Sequence, residues 1–174
     1  MLSGRVALKY CANGFDCAHC EYDQMLDDLQ PSVESTTPEV IYSAGFAISD
    51  HYYFHRGHAW ARVEYSGRVR CGLDDFALRL FGPPDGVALP ELGQPLVASE
   101  PAMEFWRGPH RASVASPVAG VVVAVNAAVR EEGRAAYREP YGSGWLIMVE
   151  PSHLRQDLRR LLYGAEVRAW MESE

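Results

Sequence analysis

The stretch EFWRGPHRASVASPVAG, residues 104–120, is typical of a strand, a tight turn and a returning strand. The bend holds Gly108 and Pro109, two residue types that supply the backbone angles of turns. Arg107 and Arg111 flank the bend. We therefore expect a β-hairpin whose exposed tip carries a proline between two arginines.

The chain on both sides of this hairpin also has a β pattern. Short alternating runs separated by turn residues follow one another from Pro38 onward, which is typical of an all-β barrel or sandwich. The runs HAWARVEY and RVRCGL flank Ser66 and Gly67, a two-residue connection that predicts a second hairpin. Cys71 lies at alternating spacing with apolar neighbours in that second run and is predicted to be a core residue.

Helices are predicted at only two places in this region. The segment DDFALRLFG predicts a short internal helix that begins after Asp74 as N-cap and presents Phe76, Leu80 and Phe81 on one side. The C-terminal segment changes to helical spacing and predicts a helix that packs on the barrel. Its apolar positions are Leu154, Leu158, Leu161 and Leu162, its candidate N-cap is Ser152 and its candidate C′ residue is Gly164, with a shorter turn at Val167, Trp170 and Met171.

Composition limits the classes of partner. The chain has 174 residues, 48% of them apolar and 22% charged, as in an ordinary globular protein. A formal charge of −7 argues against a nucleic-acid partner, which requires a large basic surface. The sequence has no run of the roughly 20 apolar residues that a membrane span needs, and its beginning does not resemble a signal peptide. We expect a cytoplasmic protein with no membrane partner.

A cysteine-containing N-terminal extension and linker is predicted at residues 1–37, ahead of a main domain at residues 38–174. Cys11, Cys17 and Cys20 are spaced as C-x5-C-x2-C, and the closer pair is a common half-site for zinc. The spacing therefore predicts a zinc site, although three free thiols remain the alternative. The fourth ligand is left open among His19, Asp23, His51 and a partner chain.

Six blocks in order, GHAWARVE, VRCGLDDFALRLFG, LPELGQPL, SPVAGVVVAVN, PYGSGWLIMVEP and the closing leucine segment, resemble the glycine cleavage system H protein family. The resemblance covers roughly residues 42–162. It implies a mainly β barrel-sandwich hybrid of the lipoyl/biotinyl type, with a short internal helix and a C-terminal helix. It also implies lipoate on a lysine at a hairpin tip, where the lipoyl arm carries an aminomethyl group among the other three glycine cleavage proteins.

The family's lipoyl lysine falls on Pro109 when the pattern is laid on the hairpin without a gap. Proline has no side-chain amine, and the guanidinium groups of Arg107 and Arg111 stay protonated and cannot form the amide. The only lysine of the chain is Lys9, in the N-terminal extension. We therefore expect no lipoate. Trp106 is either an apolar anchor for a partner or a strand residue packed on the barrel.

Three functions follow from these observations. The main one is a non-lipoylated H-protein-like binding, scaffold or regulatory domain with an unidentified protein partner, glycine cleavage proteins being candidates. The alternatives are a true aminomethyl carrier of glycine cleavage and a metal-sensing protein that acts through the cysteine cluster. No nucleophile–base set, phosphate loop or paired carboxylate emerges, so the sequence predicts a protein that is not an enzyme.

Overall fold

The computed structural model describes residues 39–64 and 66–174, and the predicted extension with its domain boundary lies outside them. The strands are β1 (Ile41–Ser43), β2 (Phe46–Ile48), β3 (Tyr53–Phe54), β4 (Ala59–Val63), β5 (Val69–Leu73), β6 (Gly86–Ala88), β7 (Pro95–Leu96), β8 (Pro101–Arg107), β9 (His110–Ala115), β10 (Gly120–Val125), β11 (Ile147–Pro151) and β12 (Leu162–Tyr163). The helices are α1 (Asp75–Phe81), α2 (Ala127–Glu131), α3 (Ala135–Arg138), α4 (Leu154–Leu158) and α5 (Ala165–Met171). The prediction of a mainly β fold is confirmed.

The strands form two larger sheets and one small hairpin. A seven-stranded sheet has the order β12-β3-β4-β5-β11-β10-β7, and a three-stranded sheet has the order β6-β8-β9. The β1–β2 pair is separate. The predicted hairpin at Gly67 is present, since β4 and β5 pair from Val63↔Val69 onward and Gly67 takes a positive φ of 80°. None of the helices among the described residues is long and apolar enough to cross a membrane.

The main core is formed by side chains from both larger sheets and from α1. Val69, Cys71 and Val149 of the seven-stranded sheet belong to the same buried cluster as Phe105 and Val114 of the three-stranded sheet. Alternation along each strand sends these side chains inward. The prediction that Cys71 is a core residue is confirmed, and burial raises the pKa of its thiol, which makes it unreactive.

A second buried cluster is built mainly from aromatic side chains. Trp60 of β4 is fully buried, and its indole N–H donates to the carbonyl of Leu73 at 2.9 Å. The Tyr141 hydroxyl donates to the carbonyl of Ala47 at 2.7 Å, which ties the β1–β2 hairpin to this cluster. The other members are Ile48, Tyr52, Phe54, Val167, Trp170 and Met171, so the predicted apolar positions of the last turn are confirmed as buried.

The predicted C-terminal leucine helix is wrong in its extent. Helix α4 ends at Leu158, and Leu162 lies in β12, where it pairs with Phe54 of β3. The chain leaves the helix because pairing with a distant strand satisfies the backbone there. The caps were also misplaced, since His153 is the N-cap of α4 and Gly164, at a φ of 58°, precedes α5.

Candidate functional site

The β8–β9 hairpin is present where the sequence predicts it. Arg107 pairs with His110, which leaves Gly108 and Pro109 as the two residues of the turn. Gly108 has a φ of 54°, and proline fixes its own φ near −65°, a combination that a glycine-first two-residue turn uses. All four residues are exposed. Pro109 therefore stands at the outermost point of the hairpin.

Asp85, in the loop before β6, holds this turn in place. Its backbone N–H donates to the carbonyl of Trp106 at 2.8 Å, and its Oδ2 accepts from the backbone N–H of Gly108 at 2.8 Å. Its other oxygen lies 3.7 Å from Nη2 of Arg134. The turn is thus held by hydrogen bonds from a residue outside the hairpin, which fix the conformation of the tip.

The two arginines of the hairpin make different contacts. Arg107 donates from Nη1 to the carbonyl of Phe81, the last residue of α1, at 3.0 Å. Arg111 donates to Glu104 at 3.1 Å, an exposed ion pair of the kind that contributes little to stability. Both guanidinium groups keep further N–H donors for a partner. The tip is cationic on a chain whose formal charge is −7.

Trp106 packs on the sheet and is partly buried. A Cβ added to Gly86 would lie 2.2 Å from its Cζ2, so the indole lies directly over the α-carbon of that glycine in neighbouring strand β6. The guanidinium carbon of Arg111 lies 5.8 Å from the ring centroid. Of the two interpretations of Trp106, the packed strand residue describes what the structure shows.

A groove runs along β9 from α1 to the hairpin tip. Its apolar part, with a cavity volume of about 280 Å³, is lined by residues of β9 and α1 and by Gly57 and His58, which precede β4. Its polar part lies at the tip and includes Asp85, Arg107 and Arg111. Both parts share Leu80, Phe81 and Ala112, so they form one groove. The other apolar lining residues include Leu73, Leu78, Phe105 and Val114.

Helix α1 forms one wall of this groove, and its predicted start is confirmed. Asp74 is the N-cap, and its side chain accepts from the N–H of Ala77 at 2.8 Å. The predicted apolar side is wrong at Leu80, which is 78% exposed, whereas Leu78 is buried. Leu80 therefore projects from the rim of the groove, where it adds exposed apolar surface.

A histidine–carboxylate pair closes the far end of the groove. His58 Nδ1 lies 2.9 Å from Oδ2 of buried Asp74, and its ring stacks on Phe76 with centroids 4.6 Å apart. Burial opposes the charge on His58, but the hydrogen bond and the charge of Asp74, with a smaller contribution from Glu174, outweigh it. The pKa of His58 is therefore raised above its ordinary value.

The three cysteines predicted to bind zinc lie outside the residues that the structure describes. Cys11, Cys17 and Cys20 lie outside residues 39–64 and 66–174, and within those ranges no group of three histidine, cysteine or acidic side chains is placed to hold a metal. The zinc site stays a prediction.

Sequence reasoning missed Asp85 and the groove. Asp85 follows two prolines in a loop, which gives no local sign that its carboxylate reaches a turn 23 residues away. The groove depends on the distance between α1 and β9, which is set by tertiary packing and leaves no local signal in the sequence. The exposed cluster of Arg107 and Arg111 was the one signal in the sequence that pointed to this face.

The chain is similar to a family of known proteins. The model of the family described as glycine cleavage H-protein matches residues 52–174. The glycine cleavage system H protein of Stenotrophomonas maltophilia is 38% identical over 109 residues, which are 63% of this chain and 82% of that protein. The H protein of Saccharophagus degradans is 33% identical over 117 residues, 67% of this chain and 89% of its own length.

A solved structure agrees with the fold. The crystal structure of a glycine cleavage system H protein from Mycobacterium marinum superposes with a TM-score of 0.62 at 25% identity, covering 73% of this chain and all of that one. Together with the two larger sheets and their shared core, this likeness confirms the expected barrel-sandwich hybrid of the lipoyl type.

Proposed function

The chain belongs to the glycine cleavage H-protein family, and we propose that it is a member that carries no lipoate and acts as a docking module. Family membership confirms the expectation of a protein that is not an enzyme, because an H protein is a carrier. It also supports protein partners as a class. The identity of the partner and the absence of lipoate are the proposed parts.

The observation that carries the proposal is Pro109 at the exposed point of the hairpin. In the ungapped match to the family pattern, this position is that of the lipoyl lysine. Lipoylation requires a primary amine, and the only lysine of the chain is Lys9, far from the hairpin in sequence. Arg107 and Arg111 remain cationic at any working pH and offer no neutral nitrogen.

The tip keeps the features that a docking surface needs. Asp85 fixes its conformation through Gly108, so a partner would meet one preformed shape and little ordering entropy would be lost on binding. The free donors of Arg107 and Arg111 favour an acidic partner surface and increase the rate of encounter with it. The groove beside them adds apolar area. These features support binding without requiring a swinging arm.

A true aminomethyl carrier is the second candidate, and the names of the relatives favour it. Each of the relatives described above is called a glycine cleavage system H protein. The carrier would require lipoate at Lys9 or at an unrecognised position. A metal-sensing role through Cys11, Cys17 and Cys20 stays a prediction from the sequence alone.

Reconstitution separates the two leading candidates. The full chain, co-expressed with a lipoate ligase, replaces the H protein in a mixture with the other three glycine cleavage proteins. We expect no glycine turnover from this mixture. Added to a complete system, the chain should lower turnover by competing with the H protein for docking, and an Arg107→Glu/Arg111→Glu variant should compete less. Turnover supported by this chain alone would establish the carrier.

A further inference from the structure

Strand β9 is the edge of the three-stranded sheet. Within the described part of the chain it pairs with β8 and with no second strand. An edge strand presents a row of backbone N–H and C=O groups that can pair with another chain. The turn fixes which groups these are.

Along β9, successive residues direct their backbone N–H and C=O groups alternately toward β8 and away from it. In a hairpin with a two-residue turn, the flanking pair Arg107 and His110 exchanges both backbone hydrogen bonds. Ala112 and Val114 therefore also direct their N–H and C=O toward β8. Arg111 and Ser113 direct theirs outward, away from the sheet, and both residues are exposed. The outer edge thus offers two donors and two acceptors.

The side chains of β9 alternate in the same register. Ala112 and Val114 face the apolar part of the groove together with Phe105, while the side chains of Arg111 and Ser113 alternate with them and lie at the outer rim of β9. A strand added beside β9 would place every second side chain over the apolar groove, against Leu78 and Phe81. A volume of about 280 Å³ accommodates one or two large apolar side chains.

The charge of Arg111 determines which side chains an added strand would favour on the face away from the apolar groove. Arg111 projects there beside Glu104 and keeps N–H donors that Glu104 does not use, whereas Arg107 and His110 lie at the tip end. The nearby carboxylates are already engaged, Asp85 by Gly108 and Arg134, and Glu104 by Arg111. Opposite charges on neighbouring strands stabilise a pair, and like charges destabilise it. The face favours acidic side chains.

Resting on the proposed docking function, we propose that β9 binds an extended segment of a partner protein in which apolar and acidic residues alternate. The segment adds a strand to the sheet edge, with its apolar side chains in the groove and its acidic side chains beside Arg111. A second copy of β9 fits less well, because self-pairing would bring the cationic side chains of two chains together.

The test uses a fluorescein-labelled peptide in which glutamate and leucine alternate over about seven residues, the length of a typical strand. Binding to the full chain is measured by fluorescence polarisation, and amide shifts by nuclear magnetic resonance. Two N-methylated forms carry methyl groups on the glutamate nitrogens or on the leucine nitrogens. We expect one form to bind like the parent and the other not to bind, because one set of N–H groups faces β9. Which form fails also gives the strand orientation.

Two variants locate the site. Ser113→Pro removes an outward N–H from an edge strand, a position where proline is tolerated, and should weaken binding about tenfold with little change in thermal stability. Arg111→Glu should weaken binding of the glutamate–leucine peptide and strengthen binding of a peptide in which lysine replaces each glutamate. The amide signals of Arg111 and Ser113 should shift on binding.

Three results would overturn the inference: no binding of the peptide, equal binding of both N-methylated forms, or concentration-dependent self-association that protects the Arg111 and Ser113 amides. None of these bears on lipoate. A lipoyl adduct found by intact mass would instead refute the proposed function, whatever the peptide does, so the two failures are distinguishable.

Discussion

Asp85 accepts a hydrogen bond from the backbone N–H of Gly108 at 2.8 Å, so a side chain ahead of β6 fixes the turn that places Pro109 at the tip of the hairpin. The contact is exposed, so it contributes little to the free energy of unfolding, but it selects one conformation of the turn.

Removing that acceptor should loosen the tip. We expect Asp85→Ala to increase amide hydrogen exchange at Gly108 about tenfold and to lower the free energy of unfolding by about 1 kcal/mol. Asp85→Asn keeps an acceptor oxygen and is the matched control, with slower exchange than the alanine variant. Equal exchange at Gly108 in both variants and the parent would show that the bond does not hold the turn.

Gly82 tests the contact of Arg107 with α1, and Gly93 is the control. Their φ values are 81° and 80°, but a Cβ on Gly82 would lie 2.1 Å from Nη1 of Arg107, whereas a Cβ on Gly93 meets nothing. Both alanine variants should lose stability because of the positive φ, and Gly82→Ala should lose more because the ψ of 175° at Gly82 belongs to a region that is almost exclusive to glycine. Gly82→Ala should also detach Arg107 from the Phe81 carbonyl.

A double mutant isolates this second effect. Measured by urea unfolding, Gly82→Ala should destabilise the protein less in an Arg107→Ala background than in the parent, whereas the loss caused by Gly93→Ala should be the same in both backgrounds. An equal loss for Gly82→Ala with and without the arginine side chain would show that the contact with Arg107 does not contribute.

His58 should make stability depend on pH. Its folded-state pKa is raised above the ordinary 6.5, so its contribution to stability is fully present below pH 6.5 and is lost as the pH rises through the folded-state value. His58→Asn tolerates the positive φ of 63° at this position but cannot titrate, and should flatten the dependence in that window. His110→Asn makes the same substitution at the exposed tip, away from Asp74, and is the control. A profile equally steep in His58→Asn and the parent would contradict this assignment.

The N-terminal cysteines give a prediction that elemental analysis can test. Protein purified without chelator should contain one zinc per chain, and a Cys17→Ser/Cys20→Ser variant should contain none. Cys71→Ser is not a suitable control because that thiol is buried in the core, so a double variant of exposed Ser66 and Ser173 to Ala is used instead. Zinc well below one per chain, with all three N-terminal thiols alkylated, would leave the free-thiol alternative.

Local signals and distant contacts explain which predictions succeeded. The Gly108–Pro109 turn and the Asp74 cap depend on residues within three positions, so the sequence alone was sufficient for both. Leu162 was assigned to a helix because its spacing fits one, yet pairing with Phe54, more than 100 residues away, makes it a strand residue. Leu80 fits an apolar face, but that side of α1 opens into the groove rather than the core.

Intact mass after co-expression with a lipoate ligase tests whether this family member, with proline at the hairpin tip, carries no lipoate. The parent chain, Pro109→Lys, Pro109→Arg and Lys9→Arg are compared. We predict an unmodified mass for the parent, Pro109→Arg and Lys9→Arg, and a gain of one lipoyl group for Pro109→Lys, since only that variant offers an exposed amine on the turn held by Asp85. A lipoyl group on the parent chain would refute the proposed absence of lipoate, and its loss in Lys9→Arg would identify Lys9 as the carrier residue.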